Sequence, residues 1–184
     1  MLVIDANGQG IGLVDYMVKA QFNKFSGESY PDFGVANDPE GFYKQYRTPE
    51  TEYDAMYLIK ANATINTEAH VNIQSQMNAG KLKFLIDERT AKQKLMGTKM
   101  GQTMSPEDRA TYLRPFTLTS ILREELLNLR EDNEGINIIL KCSNKAIGKD
   151  KFSALEYALY YIKEEEDQKK KKKKFNVKDF MFMS

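Results

Sequence analysis

The opening of the chain constrains its fold more than any other part of the sequence. Leu2-Val3-Ile4 is a short apolar run that ends at Asp5 and the turn-forming pair Asn7-Gly8, a pattern typical of a β-strand followed by a turn. From Gln9 to Phe22 the apolar side chains recur at helical spacing, at Ile11, Val14, Val18 and Phe22. A strand followed closely by an amphipathic helix begins an α/β unit, so the sequence predicts an α/β fold.

The rest of the chain continues this alternation. Apolar runs predict further strands at Met56 to Lys60, Leu82 to Ile86 and Ile136 to Lys141. Helical spacing predicts helices from Asn66 to Ala79, from Ser105 to about Asn133, and from Asp150 onward, the last with Phe152, Leu155, Leu159 and Ile162 as its buried face. Pro115 is expected to kink or break the second of these helices.

Two segments are expected to lack regular structure over most of their length. Phe25 to Thr51 carries three of the five prolines together with scattered glycines and aromatic residues, which is typical of a long irregular excursion. Ala91 to Met104 combines Lys92, Lys94 and Lys99 with two glycines. We expect this second segment to be a mobile, basic loop that follows a short helix.

Composition limits the class of protein. The 184 residues include 27 Lys and Arg, 26 Asp and Glu, one histidine and one cysteine. A lone Cys142 excludes an internal disulfide and a cysteine-based zinc site, and no apolar run approaches the roughly 20 residues of a membrane span. These features predict a soluble, intracellular protein. Six of the lysines form the run Lys169 to Lys174, so the remainder is acidic and a uniformly basic nucleic-acid coat is excluded.

Asp5 and Asp150 are the candidate metal ligands. Asp5 follows a predicted buried strand, at the end where α/β sheets usually place ligand-binding groups, and Asp150 lies in the first turn of the last predicted helix. Carboxylates suit Mg²⁺ and Mn²⁺, and a pair of these ions supports phosphodiester hydrolysis. Spacing alone favours two structural alternatives, in which Asp5 caps a turn and Asp150 caps a helix.

Three other features admit more than one interpretation. The segment Gly8-Gln9-Gly10-Ile11-Gly12 follows a strand, but Leu13 occupies the position of the last glycine of a dinucleotide-binding loop. The glycines more plausibly let the backbone turn sharply beside Asp5. His70 lies at the edge of an apolar helix face, which favours a structural role. The lysine run is either a solvated tail or a contact for DNA phosphates.

Four stretches, in order along the chain, carry a family resemblance. They are Val3 to Asp15 (VIDANGQGIGLVD), Tyr57 to Gly80 (YLIKANATINTEAHVNIQSQMNAG), Lys81 to Leu95 (KLKFLIDERTAKQKL) and Lys149 to Ile162 (KDKFSALEYALYYI). Together they resemble the C-terminal nuclease domain of the large terminase subunit of tailed bacteriophages, the protein of the DNA-packaging motor. The similarity runs in order from about residue 2 to residue 163.

The resemblance implies a ribonuclease H-like fold, in which helices flank a mixed sheet. It implies that Asp5 and Asp150 are catalytic ligands of Mg²⁺ or Mn²⁺, that Glu156 is the alternative to Asp150, and that Asp15 is structural. The implied activity is two-metal-ion endonuclease cleavage of concatemeric double-stranded DNA. The implied partners are the phage portal protein and the small terminase subunit, in the host cytoplasm and transiently at the procapsid portal. Candidate contacts to the DNA backbone, as an alternative to a solvated loop, are Lys92, Lys94 and Lys99.

The chain departs from the family at its N-terminus. The family's first strand and its acidic ligand would precede Met1, and the ATPase domain is missing. We therefore expect an N-terminally truncated nuclease domain over residues 1–165 and a lysine-rich tail over residues 166–184. In the alternative interpretation the chain is a non-catalytic fragment that binds DNA or docks onto the portal or a partner chain. Divalent-metal binding separates the two, since a docking module needs none.

Overall fold

The chain forms two compact units of mixed α/β structure. The computed structural model describes residues 1–49, 51 and 53–174. The N-terminal unit comprises Met1–Ala69 and Tyr157–Ser184, and the central unit comprises His70–Glu156. The predicted α/β class is confirmed, as are the predicted strands near residues 56–60 and 136–141 and the helix near 66–79.

The N-terminal unit is built on a pair of parallel strands. β1 (Leu2–Asp5) runs parallel to β4 (Met56–Ile59), so that Leu2 lies opposite Met56 and Asp5 lies opposite Ile59. The elements between them are α1 (Gln9–Met17), the antiparallel pair β2 (Gln21–Phe22) and β3 (Ser29–Tyr30), and a 3-10 turn (Tyr43–Tyr46). The buried core of this unit contains Ala6, Val14, Val18, Met56 and Leu58.

Residues 34–37 close the second edge of β4. The Met56 N–H donates to Gly34 O (3.1 Å), and the Ala36 N–H donates to Met56 O (2.8 Å). One step further along β4, the Asn37 side chain takes the place of a strand backbone. Its Nδ2 donates to Leu58 O (2.7 Å) and its Oδ1 accepts from the Leu58 N–H (2.8 Å). This covering comes from the segment that the sequence predicts to be irregular.

The central unit combines helices with a β-hairpin. α2 (Ala63–Asn78) and α6 (Asp150–Lys174) contribute residues to both units. The remaining elements are α3 (Glu88–Met96), α4 (Lys99–Thr103), α5 (Pro106–Asn128), β5 (Leu129–Glu134) and β6 (Asn137–Cys142). β5 and β6 are antiparallel, and the turn between them begins at Gly135 with a φ of 63°, a conformation that favours glycine.

Helix α1 is shorter than predicted. It ends at Met17, and the Gln21 side-chain amide donates to Tyr16 O (2.9 Å) and Lys19 O (3.0 Å). These bonds satisfy carbonyls at the end of the helix and turn the chain into β2. Phe22 is therefore a strand residue that is 62% exposed, whereas the other members of the predicted apolar stripe are buried or half-buried.

The strand predicted at residues 82–86 is wrong. The segment is irregular and pairs with no strand among the described residues. A side chain of α5 holds it instead: Arg123 donates to Leu85 O (2.9 Å) and lies over the Phe84 ring. Asp87, predicted to close the strand, caps α3. A single side chain from a distant helix thus contacts this segment where the sequence predicts strand pairing, and its local strand pattern misleads for that reason.

Helix α5 begins as predicted but is not interrupted. Ser105 caps the helix by accepting from the Asp108 N–H (3.1 Å). The helix continues through Pro115, so of the predicted kink or break, the break is wrong. The Thr119 hydroxyl, one turn later, donates to Pro115 O (2.8 Å), whereas the hydrogen bond that proline removes is the one from residue 115 to the turn before it.

Asn128 ends α5 earlier than predicted. Its side-chain amide is buried, donates to Asn144 O (2.9 Å) and Ile147 O (3.2 Å), and accepts from the Asn144 N–H (2.7 Å). Residues 129–134, predicted to finish the helix, form β5 instead. Pairing with β6 thus overrides the local helical preference of a polar segment.

Helix α6 begins at Asp150, as predicted, and continues through the lysine run to Lys174. Phe152 is 2% exposed, Leu155 and Leu159 are half-buried, and Ile162 is 49% exposed, so the predicted buried face is wrong at Ile162 only. Within the part of the chain that the structure describes, none of the helices combines the length and apolarity that a membrane crossing requires.

The substitution Asn37→Ala tests the closed edge of β4. It leaves the buried Leu58 N–H and C=O without partners, so we expect a loss of about 3 kcal/mol in the free energy of unfolding. The matched control is Asn133→Ala, at an exposed position of β5, with an expected change within about 0.5 kcal/mol. Urea unfolding followed by circular dichroism measures both. Equal effects of the two variants would contradict the role of Asn37.

Candidate functional site

Asp5 lies where the sequence predicts, at the carboxyl end of β1, and its side chain is exposed. Its Oδ1 accepts a hydrogen bond from the Asn7 N–H (3.0 Å), so the turn-capping alternative is confirmed. Among the described residues, no hydrogen bond or ion pair involves Oδ2. One carboxylate oxygen thus shapes the turn, and the other faces solvent without a protein partner.

The loops that follow β1 and β4 are tied together at this end of the strand pair. The Ala6 N–H donates to Ile59 O (2.8 Å), and the Asn7 side-chain amide donates to Ala61 O (3.0 Å). Asn62 then caps the start of α2 by accepting from the Ile65 N–H (2.9 Å). The carboxyl ends of parallel strands are where α/β folds usually bind ligands, and here that edge presents oxygen-bearing polar side chains to solvent.

The glycine segment fits tightly against Asp5. Gly8 has a φ of 56°, a conformation that L side chains rarely adopt. A Cβ on Gly10 would lie far inside van der Waals contact with the Asp5 carbonyl oxygen, whereas a Cβ on Gly12 would meet nothing. The prediction that these glycines let the backbone turn beside Asp5 is therefore confirmed for two of the three.

Asp150 is exposed and is the first residue of α6. The buried carboxylate beside this helix start is Glu125 of α5, which is 3% exposed. Its Oε2 accepts from the Phe152 N–H (2.8 Å), and its Oε1 lies 3.5 Å from Lys151 Nζ. Glu125 thus satisfies a free N–H of the first turn from another helix. Sequence spacing does not reveal this residue, because nothing local connects α5 to that turn.

Glu156, the alternative to Asp150 as a metal ligand, is buried in the central unit. It is 3% exposed and pairs with His70 Nδ1, and the His70 ring centroid lies 6.4 Å from that of Phe152. His70 is buried and bonded, as its place on an apolar helix face predicts. The two residues are 86 positions apart, which explains why sequence spacing did not connect them.

The two predicted metal ligands belong to different units, Asp5 to the N-terminal unit and Asp150 to the central unit. Among the described residues, no group of three or more His, Cys, Asp or Glu side chains is placed to hold a metal ion. Within its own unit, Asp5 is accompanied by asparagine side chains and Asp150 by Lys151 and Glu125. Each of the two carboxylates is therefore exposed to solvent, and neither belongs to a group of three candidate metal ligands among the described residues.

The central unit also contains a cavity of about 200 Å³ beside His70. Its lining is mostly apolar and includes Ile73, Leu126, Ile138, Leu140 and Phe152. Ligand pockets are usually about 300–1,000 Å³ with several convergent polar groups. The smaller volume favours a packing space between α2, α5 and the hairpin over a binding site for a small molecule.

The candidate DNA contacts lie on helices, so the predicted mobile loop is wrong. Asp87 caps α3, accepting from the Thr90 N–H (2.9 Å), and this hydrogen bond lowers the pKa of the Asp87 carboxyl. Lys92 and Lys94 lie on α3, and Lys99 begins α4; all three are exposed. Lys92 and Lys94 are two residues apart and so point away from each other on the helix.

The described part of the lysine run carries both paired and unpaired charges. Lys169 lies 3.7 Å from Glu165, and Lys170 lies 3.3 Å from Asp167. For Lys171, which is exposed, no acidic partner exists among the described residues. Exposed pairs of this kind contribute little to stability. Both alternatives for the run, a solvated tail and a contact for DNA phosphates, stay predictions.

Comparison of the chain with models of known protein families, with curated proteins and with solved structures gives no match. The terminase resemblance therefore stays a prediction that depends on the four sequence stretches alone.

Two glycine variants test the packing beside Asp5. Gly10→Ala forces a methyl group into the Asp5 carbonyl, so we expect a loss of about 3 kcal/mol in unfolding free energy. Gly12→Ala is the matched control in the same helix, and it should raise stability by about 0.5–1 kcal/mol because alanine is the better helix former. Chemical denaturation measures both, and a tolerated Gly10→Ala would contradict the close approach.

A second pair of variants tests the buried carboxylate at the start of α6. Glu125→Ala leaves the Phe152 N–H unpaired, and we expect it to lower the unfolding free energy by about 2 kcal/mol. Glu124→Ala changes the adjacent, exposed residue of α5 and should have an effect within about 0.5 kcal/mol. Thermal unfolding of the two variants measures the difference. Similar melting temperatures for the pair would show that Glu125 does not hold this helix start.

Proposed function

We propose that the chain is the nuclease part of a phage terminase large subunit, with a ribonuclease H-like fold. Its function is metal-dependent cleavage of concatemeric double-stranded DNA during packaging. The single observation that carries the proposal is the position of Asp5. An exposed carboxylate with a free oxygen stands at the carboxyl end of a parallel strand, beside a glycine-rich turn.

The donor chemistry of this edge agrees with a hard divalent cation. Asp5 Oδ2 has no protein partner among the described residues, and the neighbouring Asn7 side chain adds a further oxygen. Mg²⁺ and Mn²⁺ prefer such ligands and keep part of their water shell. Asp150 is the second proposed ligand, because it is exposed at the start of the last helix. A bound pair of ions stabilises the attacking and leaving oxygens of a phosphodiester.

The proposed partners are DNA, the portal protein and the small terminase subunit. Lys92, Lys94 and Lys99 are exposed, and none of them forms an ion pair among the described residues. Free lysines of this kind bind phosphates without sequence preference and in a salt-dependent manner. The lysine-rich end of α6, in the N-terminal unit, is a separate candidate for phosphate binding.

A second candidate function is a non-catalytic module that binds DNA or docks onto a terminase partner. The observation that favours it is the lack of a three-ligand group among the described residues. The use of Asp5 Oδ1 by the Asn7 N–H also supports it, because a turn cap needs no metal. The two candidates share the fold and the basic surfaces and differ in metal chemistry.

The experiment that separates them is plasmid nicking by the full chain with Mn²⁺, with EDTA as the metal-free control. For the nuclease we expect nicking that Asp5→Asn and Asp150→Asn each reduce by about 100-fold or more, a typical size for the loss of a group that acts on the transition state. Asp15→Asn is the matched control on α1, since Asp15 is exposed and is not a proposed ligand.

Mn²⁺ binding, followed by electron paramagnetic resonance on the same samples, gives a readout that does not depend on turnover. Binding that weakens in Asp5→Asn but not in Asp15→Asn supports the metal site. A folded protein that binds DNA but neither binds Mn²⁺ nor nicks the plasmid contradicts the nuclease and favours the docking module. Nicking that is equal in all variants contradicts the assignment of Asp5 and Asp150.

A further inference from the structure

A short hairpin in the N-terminal unit carries a fully exposed phenylalanine. β2 and β3 pair in antiparallel fashion, with Phe22 opposite Ser29, and residues 23–28 connect them. Phe25 lies in this connection, and its relative exposure is 103%. A ring that is exposed to this extent adds no buried apolar area to the fold, so packing does not account for its place at the hairpin tip.

The turn that carries Phe25 is held by its own hydrogen bonds. Asn23 Oδ1 accepts from the Phe25 N–H (3.0 Å) and from the Ser26 N–H (3.3 Å). Asn23 O accepts from the Gly27 N–H (2.8 Å), and Gly27 has a φ of 73°, which favours glycine. The ring of Phe25 therefore projects from a hydrogen-bonded turn.

Three further aromatic rings are exposed beside the hairpin. The exposed fractions are 59% for Tyr16, 62% for Phe22 and 47% for Tyr30. Tyr30 lines two open cavities, one of about 190 Å³ that Tyr16 also lines and one of about 430 Å³ that Phe22 also lines. The Tyr30 hydroxyl donates to Glu28 Oε2 (2.7 Å), which orients the ring. We call the four side chains Tyr16, Phe22, Phe25 and Tyr30 the aromatic surface.

Two lysines accompany the aromatic surface. Lys19 lines the cavity beside Tyr16, and Lys24 precedes Phe25 in the turn. Both lysines are exposed, and neither forms an ion pair with an acidic side chain among the described residues. Lys19 Nζ lies 5.4 Å from the centroid of the Tyr46 ring. The surface thus combines flat apolar rings with positive charge that the described part of the chain leaves unpaired.

We propose that the aromatic surface binds single-stranded DNA, with bases stacked on its rings and phosphates at Lys19 and Lys24. Every base has a flat π face, so aromatic rings bind unpaired bases with little sequence preference, and nearby lysines hold the backbone. In a duplex the bases are already stacked on their neighbours, so an unpaired strand gains most from such rings. The proposed site uses neither Asp5 nor a metal ion, so this activity is additional to the proposed nuclease.

A proline-rich peptide is the other class of ligand that binds between exposed aromatic rings. Two observations favour DNA. Lys19 and Lys24 offer positive charge, which a polyproline helix has no group to match, whereas each nucleotide carries a phosphate. Phe25 lines neither of the two cavities beside Tyr30, so a peptide in those cavities leaves it unused, whereas a longer strand of bases extends to it.

The test compares two labelled oligonucleotides of about 20 units, a site that is long enough for several rings. One is oligo-dT and the other is an abasic strand of deoxyribose phosphates, and fluorescence anisotropy in EDTA measures the binding of each. The two strands carry the same charge, so the ratio of their affinities measures base stacking and removes the contribution of the lysine run. We expect the wild-type chain to bind oligo-dT at least about tenfold more tightly than the abasic strand.

Variants of Phe25 locate the stacking. Phe25→Ala should weaken oligo-dT binding by about tenfold and leave binding of the abasic strand unchanged. Phe25→Tyr keeps a ring and should bind oligo-dT as the wild-type chain does. The matched control is Tyr112→Ala, which removes a 43% exposed ring from α5 in the central unit and should change neither affinity.

Lys24→Gln tests the phosphate contact. It should weaken binding of both strands alike, because both strands keep their phosphates. It should also reduce the slope of log K against log salt concentration by about 0.7, the value for one phosphate of a single strand.

Equal affinity of the wild-type chain for the two strands overturns the proposal, and so does a preference for oligo-dT that Phe25→Ala leaves intact. Binding of a short polyproline peptide that requires Phe25, in place of oligo-dT, assigns the surface to a protein partner instead. Circular dichroism checks that each variant is folded, which we expect for an exposed position. All samples contain EDTA and the readout is binding, so failure of this proposal and failure of the nuclease are distinguishable.

Discussion

The parallel pairing of β1 with β4 is the interaction on which the N-terminal unit depends. It aligns two strands that are more than fifty residues apart, brings their carboxyl ends to one edge, and buries Met56 and Leu58 against Val14 and Val18 of α1. The Asn37 amide extends this pairing on the far side by imitating a strand backbone. β4 is therefore hydrogen-bonded on both sides, and Asp5 at the end of β1 is left exposed.

In the central unit, two buried carboxylates connect helices that are far apart in the sequence, as strand pairing connects distant segments in the N-terminal unit. Glu125 accepts from the first turn of α6 and Glu156 pairs with His70, so α5 and α2 are each linked to the start of α6 by a buried polar contact. Removing one partner of such a contact is costly, since the other is left buried and unsatisfied. These two acids stabilise the position of the helix on which Asp150 lies. Asp150 itself is exposed and takes part in neither contact.

Local patterns predicted what local chemistry controls. The first strand, the start of α5 at Ser105, the start of α6 at Asp150 and the turn at Gly8 each depend on neighbouring residues, and all were predictable. Two of the errors occurred where distant residues decide. Residues 82–86 look like a strand but are held by Arg123 of α5, and residues 129–134 look helical but pair with β6. The candidate site follows the same division, because the place of Asp5 was predictable whereas the roles of Glu125 and Glu156 were not.

The sequence by itself determined the α/β class, the end of β1 at Asp5 and the glycines that allow the turn there. It also determined the charge distribution, in which a lysine run follows a chain that is otherwise net acidic. These properties depend on apolar spacing, turn chemistry and charge, which act over a few residues. Only the tertiary structure decided that Asn37 closes β4, that His70 meets Glu156, and that Glu125 accepts from the first turn of α6. Each of these is a contact between segments far apart in the chain, and its geometry exists only after the backbone has folded around a core.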